Sequence, residues 1–272
     1  MTDLEVREEG VPWVPDASHA GVRSKVLLDR MRGDSRAFVF GLRELAPGAT
    51  LGLHATGQAE LDFVLRGRAR VRIGGGEVEL GERASVYAPP GMPRAVEALG
   101  PEPLRYAYTY ACERLGHTIE WTPVDPARPD ARAVPPKTWM GWEETEPWAP
   151  VEAAKGLRVR YKRVMDRARR VEMIAGIGDI DPGTHYTRHF HDQPEIYYIL
   201  GGEGMVWAGD AEVPVRRGST LYIDARVVHG ADSLGLEPLS IFYVYGCEAA
   251  GHDVNWTPVE EIYSEPRPRP AR

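Results

Sequence analysis

Residues 183–202 read GTHYTRHFHDQPEIYYILGG. Two histidines, His189 and His191, lie two apart, and Glu195 follows four residues after the second. On a strand, side chains two apart point to the same face, so the two imidazoles are presented together. The run from Ile196 to Leu200 is β-branched and aromatic, and Gly201-Gly202 closes it. That is the composition of a strand running into a turn. Neutral imidazoles and a carboxylate make a mixed nitrogen and oxygen donor set, suited to Fe, Mn, Ni, Cu, Zn or Co.

The same spacing recurs upstream. Gly48, His54, Glu60 and Gly67 stand to one another as Gly183, His189, Glu195 and Gly202 do, at an offset of 135 (183 − 48). Pro12-Trp13 returns as Pro147-Trp148, Tyr87 as Tyr222, and Trp121-Thr122-Pro123-Val124 as Trp256-Thr257-Pro258-Val259, all at that offset. A constant offset predicts an internal duplication that aligns without a gap. The domains read as 1–124 and 147–272. Between them, 125–146 carries Pro126, Pro129, Pro135 and Pro136 and reads as a linker. The tail from Glu265, again proline-rich, is expected to be mobile.

Composition agrees with two ordinary domains. The chain has 272 residues, 43% of them hydrophobic, enough for two cores. A net charge of −7 lacks the basic surface that nucleic acid or an anionic membrane requires. Two cysteines do not make a disulfide scaffold, so the cytoplasm is the expected compartment. Met1 to Gly10 is charged, so no secretory signal is expected, and no apolar run reaches membrane-spanning length. With 29 glycines and 23 prolines between short Val, Ile and Tyr runs, the chain reads as all-β.

Gly183 to Gly202 matches G-x5-H-x-H-x3-E-x6-G, the first signature of the cupin family, at every spacing. Gly218 to His229 resembles the second, G-x5-P-x-G-x2-H, with Asp224 and Arg226 in place of the proline and the second glycine. The chain therefore resembles a bicupin. This implies two tandem jelly-roll (double-stranded β-helix) barrels. It also implies that His189, His191, Glu195 and His229 line the C-terminal barrel and hold one divalent transition metal. Iron is the first expectation, with Mn, Zn, Ni, Co or Cu as alternatives. Open positions on such an ion admit a substrate or O2, as in catalytic sites.

In the N-terminal half Thr56 stands for His191 and Arg94 for His229. A guanidinium cannot ligate a cation, so no metal is expected there. Arg94 is expected to pair with Glu60 in the metal's stead, because a lone buried carboxylate is costly. The half itself is expected to serve packing, standing where the second subunit of a single-cupin dimer would.

Tyr197, two residues after Glu195, is expected to face the same cavity, as a general base, a substrate-orienting donor or a packing residue. His185, Trp207, Tyr222, Tyr243 and Arg226 form a second tier of expected pocket residues. Cys112 and Cys247 read as small buried hydrophobes. The repeated Trp121 and Trp256 tails read as covers for strand edges, and Gly74 to Gly76 as a hairpin turn.

The function expected first is a metal-dependent enzyme acting on a small polar organic molecule, an oxidoreductase of the dioxygenase type. The alternatives are a non-redox isomerase or lyase using Tyr197 as base, and a non-catalytic small-ligand binder. The expected partner is a small molecule, with no nucleic acid and no membrane, for a monomer or a homo-oligomer.

Overall fold

A computed structural model describes residues 4–112, 118–124, 140–150, 159–165, 172–246, 254 and 256–259. Cys247, most of the expected linker and the proline-rich tail lie outside the described residues. The described residues are strands, turns and short 3-10 segments. No helix among them is long and apolar enough to cross a membrane.

Each half is a sandwich of a seven-stranded and a five-stranded sheet, with antiparallel pairing throughout. In the C-terminal half the large sheet runs Glu5–Arg7, Ser219–Ile223, Glu195–Gly201, Leu239–Gly246, Met173–Ile180, Val159–Met165, Ala149–Pro150. The small sheet runs Ala211–Arg216, Glu203–Ala208, His229–Ser233, His185–Phe190, Thr257–Pro258. The ladders do not join into a ring, so each expected barrel is an open jelly-roll sandwich. Edge strands at Val14–Pro15, Ala149–Pro150, Trp121–Pro123 and Thr257–Pro258 all carry proline, which lacks the N–H that would continue pairing.

The first strand of each half pairs with the other half. Glu5–Arg7 pairs with Ser219 to Leu221, and Met140–Trp142 pairs with Ala84 to Val86. The second of these strands falls inside the stretch expected to be linker. Behind the exchanged strands the two large sheets pack on each other, with Phe63 stacked on Phe242 at 4.2 Å and Phe40 against Tyr198 at 5.7 Å. The strand Glu195–Gly201 shows the consequence of having two covered faces. Ile196 and Tyr198 join the core shared with the N-terminal half, while Tyr197 and Ile199 join the core of their own half. The strand is buried from Glu195 to Ile199, as expected of a short apolar run covered on both sides.

The repeat is not gapless. Val22–Leu28 corresponds to Val159–Met165 at an offset of 137 (159 − 22), with the same burial pattern along both strands. Both lysines of this pair donate to the backbone of a glutamate in the exchanged segment, Lys25 to Glu8 and Lys162 to Glu143. Two residues are gained before the second strand and lost after it, since Phe38–Leu45 and Met173–Ile180 return to 135. Pairing register, not chain length, fixes the equivalence.

The expected hairpin is present: Arg68–Ile73 pairs with Gly76–Leu80 around Gly74 and Gly75, both at positive φ. The tails do cover strand edges, Trp121 to Pro123 on Thr50–Thr56 and Thr257 on His185–Phe190. Cys112 is a buried free thiol.

Candidate metal centre

His189 and His191 come from the strand His185–Phe190 and the turn after it, Glu195 opens the next strand, and His229 opens the strand paired with the first. One donor atom from each lies within 4.8 Å of every other, and all four residues are buried. Gly202 closes the signature with φ +78, and a Cβ there would meet the Pro238 backbone, which explains the glycine. Arg226 stands where the family signature has glycine and takes the same left-handed turn, φ +62. Its backbone N–H donates to the His191 carbonyl at 2.8 Å, and its side chain pairs with Asp192 at 2.7 Å. The turn before His229 is thus kept without its glycine.

Each ring is oriented through Nδ1. His189 Nδ1 donates to the Thr187 carbonyl at 2.9 Å, His191 Nδ1 to Gln193 at 2.7 Å and His229 Nδ1 to Val227 at 2.8 Å. A carbonyl only accepts, so the proton sits on Nδ1 and the Nε2 lone pair turns inward. Nε2 of His191 and His229 then face Glu195 Oε2 at 3.3 and 3.0 Å. Burial and the neighbouring His229 hold His189 neutral, its pKa well below the usual imidazole value. His189 Nε2 and Glu195 Oε1 are buried without a hydrogen-bond partner. Several lone pairs converge on one point with no donor among them, which is what a divalent cation satisfies.

A cavity of about 610 Å3 meets this cluster at Glu195 and runs along Tyr197, Tyr243, Tyr245, Tyr186 and Trp256. The Tyr197 ring lies 5.9 Å from that of His229, and burial together with the Glu195 carboxylate pushes its phenol well above the usual value. Trp256 stacks over His189 at 5.0 Å. A larger, shallower groove of about 1080 Å3 near Arg216 and Leu236 has none of the cluster residues in its lining.

Of the second-tier residues, only Tyr243 lines the cavity. Tyr222 packs edge-on against Phe38 of the other half at 6.3 Å. Trp207 donates to Asp232 at 3.1 Å, with Arg188 over its ring at 4.5 Å. His185 sits across from Asp232 in the small sheet, and Arg226 is exposed. Sequence reasoning missed Tyr245, Tyr186, Trp256, Tyr161 and Arg163 as lining residues. Tyr245 was legible as the i+2 neighbour of Tyr243. Tyr186 was not, because the register slips between Tyr186 and His189.

The N-terminal half holds the expected ion pair. Arg94, 2% exposed, contacts Glu60 and also Asp62 at 2.9 Å. Thr56 donates to the Gln58 carbonyl, and His54 stacks on Trp121 at 4.1 Å. This half keeps Pro89 and Gly91 of the second signature, with Gly91 at φ +73, yet has lost the histidine that follows.

A family model described as "Cupin domain" matches residues 41–110 and 176–245, together half of the chain. Among solved structures, the oxalate decarboxylase of Lactobacillus farciminis in its formate complex superposes with a TM-score of 0.74 at 16% identity, covering 92% of this chain and 88% of that one. Oxalate decarboxylase from Bacillus subtilis superposes at 0.73 and 17% identity, covering 92% and 78%. At such identity these likenesses concern the fold. Among curated proteins, a dimethylsulfoniopropionate lyase of Ruegeria pomeroyi is 31% identical over 82 residues, 30% of this chain and 52% of that protein. An uncharacterised protein of Streptomyces coelicolor is 33% identical over 57 residues, 21% of this chain and 54% of that protein. The chain spans about half the length of these curated relatives.

Proposed function

The chain belongs to the cupin family, and from that premise we propose that it is a metal-dependent lyase acting on a small polar organic molecule. His189, His191, Glu195 and His229 would hold one divalent transition metal in the C-terminal half, and Tyr197 would be the base. The observation that carries this reading is that Glu195 and Tyr197 line the same cavity, so a proton acceptor and the candidate metal cluster open on one space.

When bound, the metal supplies Lewis acidity, polarising a carbonyl or carboxylate of the substrate. Tyr197 stands over His229 with its phenol beside Glu195, and a cation held by the cluster would lower that phenol from its raised value towards phenolate, the form placed to take a proton from a carbon next to that group. The rings of Tyr243, Tyr245 and Trp256 close the wall and keep water from the reacting carbon. The reading puts the non-redox alternative ahead of the dioxygenase. A phenol beside the cluster can serve proton transfer. One relative is itself named as a lyase and the fold neighbours as decarboxylases. Manganese, zinc, nickel and cobalt suit that chemistry as well as iron does.

The test is proton exchange without oxygen. Metal-loaded protein in D2O under argon is offered dimethylsulfoniopropionate and related small carboxylates, and label entering or elimination product forming is read by NMR. The wild type is expected to act and Tyr197→Phe to lose activity by about 10²-fold or more with its metal retained. Turnover that requires O2, or a fully active Tyr197→Phe, rejects the lyase.

A further inference from the structure

Each half of the duplication serves as a comparison for the other. On the strands Phe38–Leu45 and Met173–Ile180 one pair of equivalent positions differs by a whole side chain, Arg43 against Gly178 (178 − 43 = 135). Arg43 is 5% exposed. Its guanidinium lies 4.5 Å from the Tyr108 ring, 4.9 Å from Trp121 and 3.6 Å from the Glu60 carboxylate, and it donates to the Tyr106 hydroxyl at 3.0 Å. At the same offset these neighbours become Tyr243, Trp256, Glu195 and Ile241, and all four line the C-terminal cavity together with Gly178. A Cβ built on Gly178 meets nothing within 4 Å.

The rings that hold Arg43 keep their places where it is missing. The Tyr243 hydroxyl donates to the Lys162 carbonyl at 3.4 Å, as Tyr108 does to that of Lys25 at 3.4 Å. A Cβ on Gly176 or on Gly41 would strike that tyrosine in either half, so the same close approach fixes both rings. Trp256 lies over His189 at 5.0 Å, as Trp121 lies over His54 at 4.1 Å. Between the tyrosine and the tryptophan is a slot. One half fills it with the flat end of its own arginine, and the other leaves it open.

Three further exchanges turn the wall of the open slot into rings. Tyr161 stands where Ser24 does (161 − 24 = 137), Tyr186 where Leu51 does (186 − 51 = 135) and Tyr197 where Asp62 does (197 − 62 = 135). All three tyrosines line the cavity. Aromatic pairs gain beyond the area they bury, through offset or edge-to-face contact, and a puckered ring has no such face to offer. This preference is one of shape and does not depend on the sign of any charge.

We propose that Gly178 determines the specificity of the C-terminal cavity: by withholding the side chain that plugs the N-terminal half, it opens a slot between Tyr243 and Trp256 for a flat, conjugated ring, the rest of the molecule reaching the His/Glu cluster. This rests on reading that cavity as the working site, and it adds the residue that sets the shape of the ligand. The size follows from the comparison, since the occupant replaces one arginine side chain and is therefore a single ring.

The experiment is calorimetric titration of the manganese-loaded full chain with benzamide and with cyclohexanecarboxamide, with metal content measured on every sample. Both probes are neutral and carry the same amide, and they differ in whether the ring is flat. Wild type is expected to bind benzamide at least about tenfold more tightly. Gly178→Leu, which fills the slot without charge, is expected to abolish benzamide binding with metal content unchanged. Tyr243→Leu, which keeps a wall but removes a ring face, is expected to shrink the preference to about threefold or less. No benzamide binding or equal affinity for the two probes in the wild type, undiminished binding in Gly178→Leu, or the full preference in Tyr243→Leu overturns the proposal. The wild-type comparison needs no variant and decides the matter even where a variant does not fold. Gly178-dependent benzamide binding by a chain unable to hold metal supports the slot and removes the lyase reading. Metal held by a chain with no preference for the flat probe removes the slot and leaves the lyase reading standing.

Discussion

Arg94 and Glu60 form an ion pair sealed inside the N-terminal half, at the positions where His229 faces Glu195 in the C-terminal half. Asp62, the counterpart of Tyr197, is the second carboxylate on the same guanidinium. Burial alone would raise Glu60, but Arg94 and Arg43 hold it below its usual value, whereas burial pushes Asp62 up to about 7. Two arginines, Arg94 in the histidine's place and Arg43 beside it, thus compensate a site built around a carboxylate.

Removing Arg94 leaves Asp62 buried without its ion pair and Glu60 with Arg43 alone. Arg94→Ala is expected to cost about 3–5 kcal/mol in urea unfolding and to leave the metal content of the chain unchanged. A cost below about 1 kcal/mol would mean that the pair is not what balances Glu60.

His54 makes the N-terminal half acid-sensitive. It is 3% exposed, and burial, with Arg94 nearby, lowers its pKa to about 4. Below about pH 6.5 the unfolded chain takes up a proton that the folded chain refuses, so stability present above 6.5 is lost as pH falls towards 4. The size is on the order of 3 kcal/mol. His54→Gln should flatten the stability profile between pH 6.5 and 4 relative to wild type. Identical slopes for the two proteins would show that His54 is not the group responsible.

The exchanged strand Met140–Trp142 tolerates no side chain at its centre. A Cβ on Gly141 would strike the Val164 carbonyl, whereas one on Gly178 meets open space. Gly141→Ala is expected to destabilise the chain by about 1–3 kcal/mol and Gly178→Ala by less than about 0.5 kcal/mol, read from denaturation midpoints. The reverse order would contradict the packing of the exchanged strand.

Metal bound at the four-residue cluster should stabilise the fold, because the site exists only when three strands are assembled. At a hundredfold excess over its dissociation constant the gain is about 2.7 kcal/mol, and a chelator should lower the melting temperature accordingly. In the His191→Ala/His229→Ala variant the chelator should have no effect. A chelator-sensitive double variant would place the metal elsewhere.

The sequence by itself determined the periodic part of this protein. Alternation put His189 and His191 on one face, the repeated glycines, histidines and tryptophans disclosed two copies of one domain, and the swap of His229 for Arg94 disclosed the ion pair. These are local or strictly repeating signals, and strand geometry translates them directly. Tertiary structure decided what depends on register and on partners distant in the chain. The two-residue offset of Val159–Met165 brought Arg163 into equivalence with Val26. The slip after Tyr186 turned that ring into the cavity, and the exchange of Glu5–Arg7 and Met140–Trp142 joined the halves. A one-residue slip reverses every side chain beyond it, and no composition records where a slip falls. Which residues line the working space was therefore settled by pairing, while which residues converge as its candidate donors was already written in their spacing.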